Sequence, residues 1–255
     1  MGAASRSLLW RALALTLTLQ ALLVPAVLFW PNFRDNIDSL RGMMPFKAAR
    51  DMLDQFGSAG AAGYVCGQQF FKACNTLGTA AAVLFAAGAV AGEAHRGTLE
   101  LWLSRPVPRH RLLLERWGAG ALALVLPVFL TSATIPWLIG QADVEEEIAL
   151  SAMLLCAAHQ SALLLAIYSA TFFCSSVGSN PMAIGFAMLF LTVFQFAIYL
   201  IERVTHYSLF RLADIPRFIA ICERGELDLR IVLPLLCASG AFVLASVLAF
   251  DRRVP

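Results

Sequence analysis

Glu93-Ala-His-Arg-Gly-Thr-Leu-Glu-Leu-Trp-Leu-Ser-Arg-Pro-Val-Pro-Arg109 is a charged, amphipathic insert wedged between two long apolar segments. The surrounding chain of 255 residues is 59% hydrophobic and only 14% charged. Soluble domains carry about 25% charged residues, so this balance places the chain in a membrane. An apolar chain keeps so dense a polar block where it must face water and meet something.

Working outward from the insert, six stretches supply the roughly 20 mostly apolar residues that crossing the hydrocarbon requires. They are Leu8 to Trp30, Phe70 to Gly92, Trp117 to Ile139, Ile148 to Cys174, Met182 to Ile201 and Ile231 to Phe250. Backbone groups find no water there, so each stretch is expected to be helical. The expected fold class is therefore all-α integral membrane, with one transmembrane domain over 1–255 and the insert, 93–116, between the second and third spans. The first stretch follows Arg6 and Arg11 but is longer than a secretory signal core and lacks a small-residue cleavage site, so it reads as a retained span.

Lysine and arginine in short loops set orientation. Arg96, Arg105, Arg109, Arg111 and Arg116 follow the second span, whereas Asp143, Glu145, Glu146 and Glu147 follow the third with no basic residue beside them. The first loop is thus expected in the cytoplasm and the second outside. Arg6 and Arg11 at one terminus and Arg252 and Arg253 at the other then also lie inside, as an even number of spans requires. The segments Pro31 to Gln69 and Glu202 to Arg230 fall outside, and in each the basic residues are matched by as many acids.

Several functions are excluded or left without support. The two lysines, Lys47 and Lys72, do not sit in phosphate-loop spacing, so no nucleotide motif is present. A net charge of +2, spread among several loops, gives nucleic acid no footing. The six cysteines show no CxxC or metal-type spacing, and no metal set or catalytic constellation is read. Cys156, Cys174 and Cys237 lie in apolar runs as small core residues. Cys66 and Cys74 lie in or beside one outside segment, and either a disulfide between them or two buried thiols is open.

Two outside segments are amphipathic. Pro45 to Phe56 places Phe46, Ala49, Leu53 and Phe56 opposite Lys47, Arg50, Asp51 and Asp54; Tyr207 to Arg230 mixes Leu209, Phe210, Ile215, Phe218 and Ile219 with balanced charge. Each reads either as a helix lying on the membrane surface or as one packed over the span ends.

Within the insert, Gly97 and Thr98 open a short helix with Thr98 as an acceptable N-cap. Leu99, Trp102 and Leu103 then share one face, with Glu100 and Ser104 off it. Pro106 and Pro108 stop that helix, and Arg109 begins a second amphipathic stretch that leads into the third span. Residue chemistry alone describes a surface helix clamped at both ends.

The pattern Glu-x-x-x-Gly-Thr-Leu-Glu-x-x-Leu-Ser-x-Pro-Val-x-Arg, carried by Glu93, Gly97, Thr98, Leu99, Glu100, Leu103, Ser104, Pro106, Val107 and Arg109, resembles the signature of ABC-2-type permeases. These are membrane subunits of ABC exporters, and the span plan is similar along most of the chain. The tail Phe250-Asp-Arg-Arg-Val254 is loosely similar to the subgroup that includes the permease of nitrous-oxide reductase copper-site maturation.

The resemblance implies that the insert is a coupling helix docking on a separate ABC ATPase subunit, which would bind the ATP and Mg while this chain binds no cofactor. It implies a homodimer, or a heterodimer with a related permease, in the inner (cytoplasmic) membrane with both termini cytoplasmic. Trp102 and the leucines would then anchor the partner, Arg96 and the other charged residues would set the register, and Glu93 would fix the elbow by pairing with Arg96 or an arginine beyond the turn. Ser176, Gly178, Asn180 and Pro181, between the fourth and fifth spans, occupy the second coupling position, with Asn180 or Ser179 capping and Pro181 at a helix start.

Ionisable and amide groups in mid-span are few: Gln20, His159, Gln160, Gln195 and Tyr199. Such groups either glue helices together or line a path. Gly88 and Gly92 suit close helix packing, and Pro25, Pro127, Pro136 and Pro234 are positions for kinks or helix ends. An ATP-independent secondary transporter or a membrane assembly protein is the alternative to a permease, and the former would carry coupling-ion residues in broken helices.

Overall fold

The computed structural model describes residues 3–43, 47–99, 107–142, 144 and 146–252. Among them every regular element is helical and no strand is present. Six helices among the described residues are long and apolar enough to cross a membrane: Ser7–Asp35, Gly60–Ala87, Arg109–Gln141, Leu150–Val177, Pro181–Tyr199 and Leu229–Asp251. We call these the first to sixth spans.

Burial ranks them. About two thirds of the apolar window of the second span is buried and a similar share of the fourth, against 6% for the fifth. The second and fourth spans therefore form the centre of the bundle. The fifth lies at its edge, where Gly185 is its one buried residue and Phe186, Phe190, Val193 and Phe194 point outward.

The second span differs from its sequence reading at both ends. It starts at Gly60 rather than Phe70 and stops at Ala87 rather than Gly92. Gly67–Gly78 within it winds as a π-helix that holds Gln69 and Asn75 fully inside the protein. The Gln69 side-chain amide donates to Thr131 Oγ1 of the third span at 2.7 Å. This partner is why a glutamine-rich run continues the helix into the bundle. At the other end the chain breaks after Ala87, and Gly92 and Glu93 belong to a separate short helix, Ala91–His95. The first span runs helical through both Pro25 and Pro31 to Asp35.

At the end of the bundle remote from the insert, both amphipathic segments pack over the spans. On helix Lys47–Ser58, Leu53 is buried, and the Phe56 ring meets Phe33 of the first span and Tyr64 of the second edge-on, with centroids 6.3 and 5.9 Å apart. Phe46 lies outside the described residues, and the Ala49 side chain is not described. In helix Ile215–Arg224, Ile215, Phe218 and Ile221 are buried, with Phe218 stacked on Phe70 at 5.0 Å. Of the acidic loop between the third and fourth spans, Glu146 reaches back to accept from the Ala61 backbone N–H at 2.7 Å, closing the start of the second span.

All six cysteines are free thiols, so the Cys66–Cys74 disulfide is not formed. Both residues belong to the second span, and Cys66 faces Cys222 instead, Sγ to Sγ 3.7 Å. Cys237, expected in the core, is exposed on the sixth span.

Candidate functional site

The described part of the insert is an elbow built on Glu93. Helix Ala91–His95 ends in a six-residue hydrogen-bonded loop: the Gly97 N–H reaches Ala94 O at 3.1 Å and the Thr98 N–H reaches Glu93 O at 3.0 Å. This is the Schellman arrangement, and it requires a left-handed residue, here Gly97 at φ +68°. Gly97, expected to open the helix that follows, therefore closes the preceding one. Thr98 turns its hydroxyl back to the Glu93 carboxylate, donating to Oε2 at 2.5 Å.

The other carboxylate oxygen, Oε1, accepts from Arg96 at 2.9 Å and from Arg116 at 2.7 Å. The Arg116 guanidinium also donates to Ala89 O, so one side chain of the third span bridges the turn and the elbow. Burial opposes ionisation of Glu93 and is the largest single influence on it. The Thr98 hydroxyl and the Arg116 and Arg96 guanidiniums together outweigh it, holding the carboxyl at about 2. Glu93 is a fixed anion at every physiological pH.

A second tie was not read from sequence. Ser175, buried near the end of the fourth span, accepts from the backbone N–H groups of Val90 and Ala91 at 3.1 and 3.0 Å and donates to Ala87 O at 2.8 Å. It satisfies two of the donors that a helix start leaves free. Its partners are 84 to 88 positions away in sequence, beyond the reach of local pattern reading.

Ser175 also leads directly into the second turn. Ser176 is buried and donates to Phe173 O, and the Gly178 N–H closes on Cys174 O at 2.9 Å. Asn180 caps the fifth span, its Oδ1 accepting from Met182 and Ala183 N–H at 3.1 and 3.2 Å, with Pro181 at the first helical position. The structure thus brings the elbow and the second turn to one end of the bundle. Glu93, Arg96, Arg116 and Pro181 share the wall of a cavity of about 490 Å³ there with Arg11 and Tyr168. Leu99 is buried, and Arg109 reaches Asp251 O at the end of the sixth span. Glu100, Trp102, Leu103, Ser104 and Pro106 lie outside the described residues.

Compared with known proteins, residues 13–214 match the model of the ABC-2 family transporter protein. The chain belongs to the ABC-2 transporter family. No curated protein and no solved structure matches it. As an ABC-2 family member with six apolar helices among the described residues, it is a multi-pass membrane protein and a permease subunit of an ABC transporter.

The interior polar residues of this ABC-2 chain are dispersed among structural contacts. His159 Nε2 donates to Leu212 O at 2.7 Å, and Gln160 donates to Asn75 Oδ1 at 2.8 Å. Asn75, which no local sequence pattern singles out, donates in turn to Ala213 O at 3.1 Å. Gln195 accepts from the Leu209 N–H, and Tyr199 packs on Phe71 and Phe196. Gln20 exchanges hydrogen bonds with Thr134 across the first and third spans. These residues fasten spans and connecting segments to one another.

Tight packing completes the frame behind the elbow. A Cβ on Gly120 would lie 2.1 Å from the Tyr168 hydroxyl, which donates to Trp117 O. Trp117 in turn donates to Ser169, and Ser169 pairs with Ser239, linking the third, fourth and sixth spans.

Proposed function

We propose that this chain is an exporter-type permease whose elbow and second turn dock on a separate ABC ATPase. One observation carries the reading. Glu93 receives Thr98 and Arg96 from the insert and Arg116 from the third span, while Ser175 holds the same turn to the fourth span. Ser175 also donates to Ala87 O, so a displacement applied to the insert would be delivered to the second, third and fourth spans at once rather than absorbed in a loose loop.

In this account Trp102 and Leu103 form the apolar anchor for the ATPase, Glu100, Ser104 and Arg109 set its register, and Pro106 ends the docking helix. Ser176, Gly178, Asn180 and Pro181 contribute the smaller second contact. The ATPase end and both termini are cytoplasmic in this reading, which the arginines of the insert support, and the membrane is the inner membrane of the cell. Two permease copies, or this chain and a related one, enclose the path, and ATP and Mg belong to the ATPase. Closure of the ATPase pair switches the path between the two faces. The interior polar residues favour this over a secondary transporter, since they are engaged in structural hydrogen bonds rather than in a coupling-ion site.

The test is co-purification with the ABC ATPase from detergent extracts. Trp102→Ala and Glu93→Ala are expected to lose the partner, or to keep it with ATP hydrolysis no longer coupled to the permease. Wild-type assembly and coupling in both variants would sink the proposal.

A further inference from the structure

Three cysteines distant in sequence meet at the end of the bundle opposite the elbow. Cys66 lies in the first turns of the second span, Cys156 in the early turns of the fourth, and Cys222 near the end of helix Ile215–Arg224. Cys222 Sγ stands 3.7 Å from that of Cys66 and 3.8 Å from that of Cys156, and all three sulfurs lie within 4.8 Å of one another. Cys66 and Cys156 are fully buried, and Cys222 is half-buried, leaving it as the point of access.

We propose that Cys66, Cys156 and Cys222 form a binding site for a soft, thiophilic cation, Cu(I) being the ion that this donor set suits best. Thiolates bound at about 2.3 Å to one metal are about 3.8 Å apart in a tetrahedral arrangement and about 4.0 Å apart in a trigonal one. Both short separations match that spacing. The equal approach of Cys222 to two partners suits a shared ion better than a single disulfide, which would leave the third thiol without a role.

The donor count selects the ion. Among the described residues no imidazole or carboxylate joins the three sulfurs. Soft thiolates suit zinc, iron–sulfur clusters and Cu(I), but structural zinc is almost always held by four protein ligands, and a set of three suits Cu(I) better. Each thiol that ligates releases its proton to water.

The cluster is also held in place before any ion arrives. Phe218, one turn before Cys222, stacks on Phe70 of the second span and meets the His159 ring edge-on at 5.6 Å. Its carbonyl oxygen accepts from the Cys156 thiol at 3.7 Å. His159 Nδ1, one helical turn beyond Cys156, is buried without a partner, and the His159 ring lines a cavity of about 820 Å³ with Ile221. An ion bound there would clasp the surface helix Ile215–Arg224 to both central spans.

The experiment uses the full chain in lipid nanodiscs, kept anaerobic and reduced, in competition with a chromogenic Cu(I) chelator, with Zn(II) in a parallel arm. We expect one Cu(I) per chain to be withheld from the chelator. Cys66→Ser, Cys156→Ser and Cys222→Ser should each weaken binding at least about tenfold, the scale on which even outer-sphere changes weaken a metal site. Cys74→Ser and Cys237→Ser should bind as the wild type does. In the wild-type chain, which avoids any folding defect of the variants, Cu(I) should slow alkylation of Cys222 and leave Cys237 unchanged. The proposal is overturned if no Cu(I) is withheld, if Cys222→Ser binds normally, if Cys74→Ser loses the ion, or if Zn(II) is taken in preference. A Cys66–Cys222 disulfide that on reduction yields no Cu(I) binding overturns it equally.

Discussion

Glu93→Gln removes one charge from the elbow and almost no volume. The Glu93 side chain is 15% exposed and that of Arg116 22%, while Arg96 is 62% exposed. Lowering the carboxyl from its ordinary 4.5 to about 2 corresponds to at most ~3.4 kcal/mol at 1.36 kcal/mol per unit. Solvent screening of the exposed Arg96 contact reduces this to about 1–2 kcal/mol. For a chain of this size that is a fall in Tm of about 2–8 °C, read by intrinsic fluorescence during heating in nanodiscs. The sign with pH is fixed. A folded-state value below the unfolded one contributes stability in full above pH 4.5, and the contribution is lost as pH falls from there through about 2. The gap between wild type and Glu93→Gln should thus be constant from pH 7 to about pH 5.5 and shrink to less than half by about pH 3. Equal Tm values at pH 7, or a gap that ignores acidification, would refute the assignment of Glu93 as the charged centre of the elbow.

Ser175→Ala leaves the buried Val90 and Ala91 N–H groups without their acceptor and should lower stability by about 2 kcal/mol, with faster amide hydrogen exchange confined to the elbow. Gly97→Ala forces a Cβ into the left-handed region and should cost about 1–2 kcal/mol; a Tm equal to wild type would mean the turn can be closed another way. Asn180→Ala removes the cap of the fifth span, for a loss of about 1 kcal/mol that Asn180→Asp should largely restore in the same melting assay. Gly120→Ala drives a methyl against Tyr168 and should cost about 1–3 kcal/mol, the penalty usual for overpacking.

Hydropathy made the six spans legible because residues such as Leu19, Leu23 and Leu124 answer to lipid or to each other without any special partner. It failed at the start of the second span, where Gly60, Gly63, Gln68 and Gln69 look like a loop. The helix persists there because Glu146 closes its first turn and Thr131 receives Gln69, and neither partner is near in sequence. The elbow was legible in part. Glu93, Arg96 and Gly97 are local and follow helix-end rules, whereas Arg116 and Ser175 join them only through tertiary packing. The convergence of Cys66, Cys156 and Cys222 is illegible for the same reason, since no ligand spacing shorter than 66 residues links them.

Contact between the insert and an ATPase can itself be measured. A photoreactive residue at position 102, in membranes holding the complete transporter, should cross-link to the ABC ATPase, and one at position 179 in the second turn should do so more weakly. A probe at position 223 on helix Ile215–Arg224, at the opposite end of the bundle, should give no such product. Cross-linking from 223 with none from 102 would contradict the account.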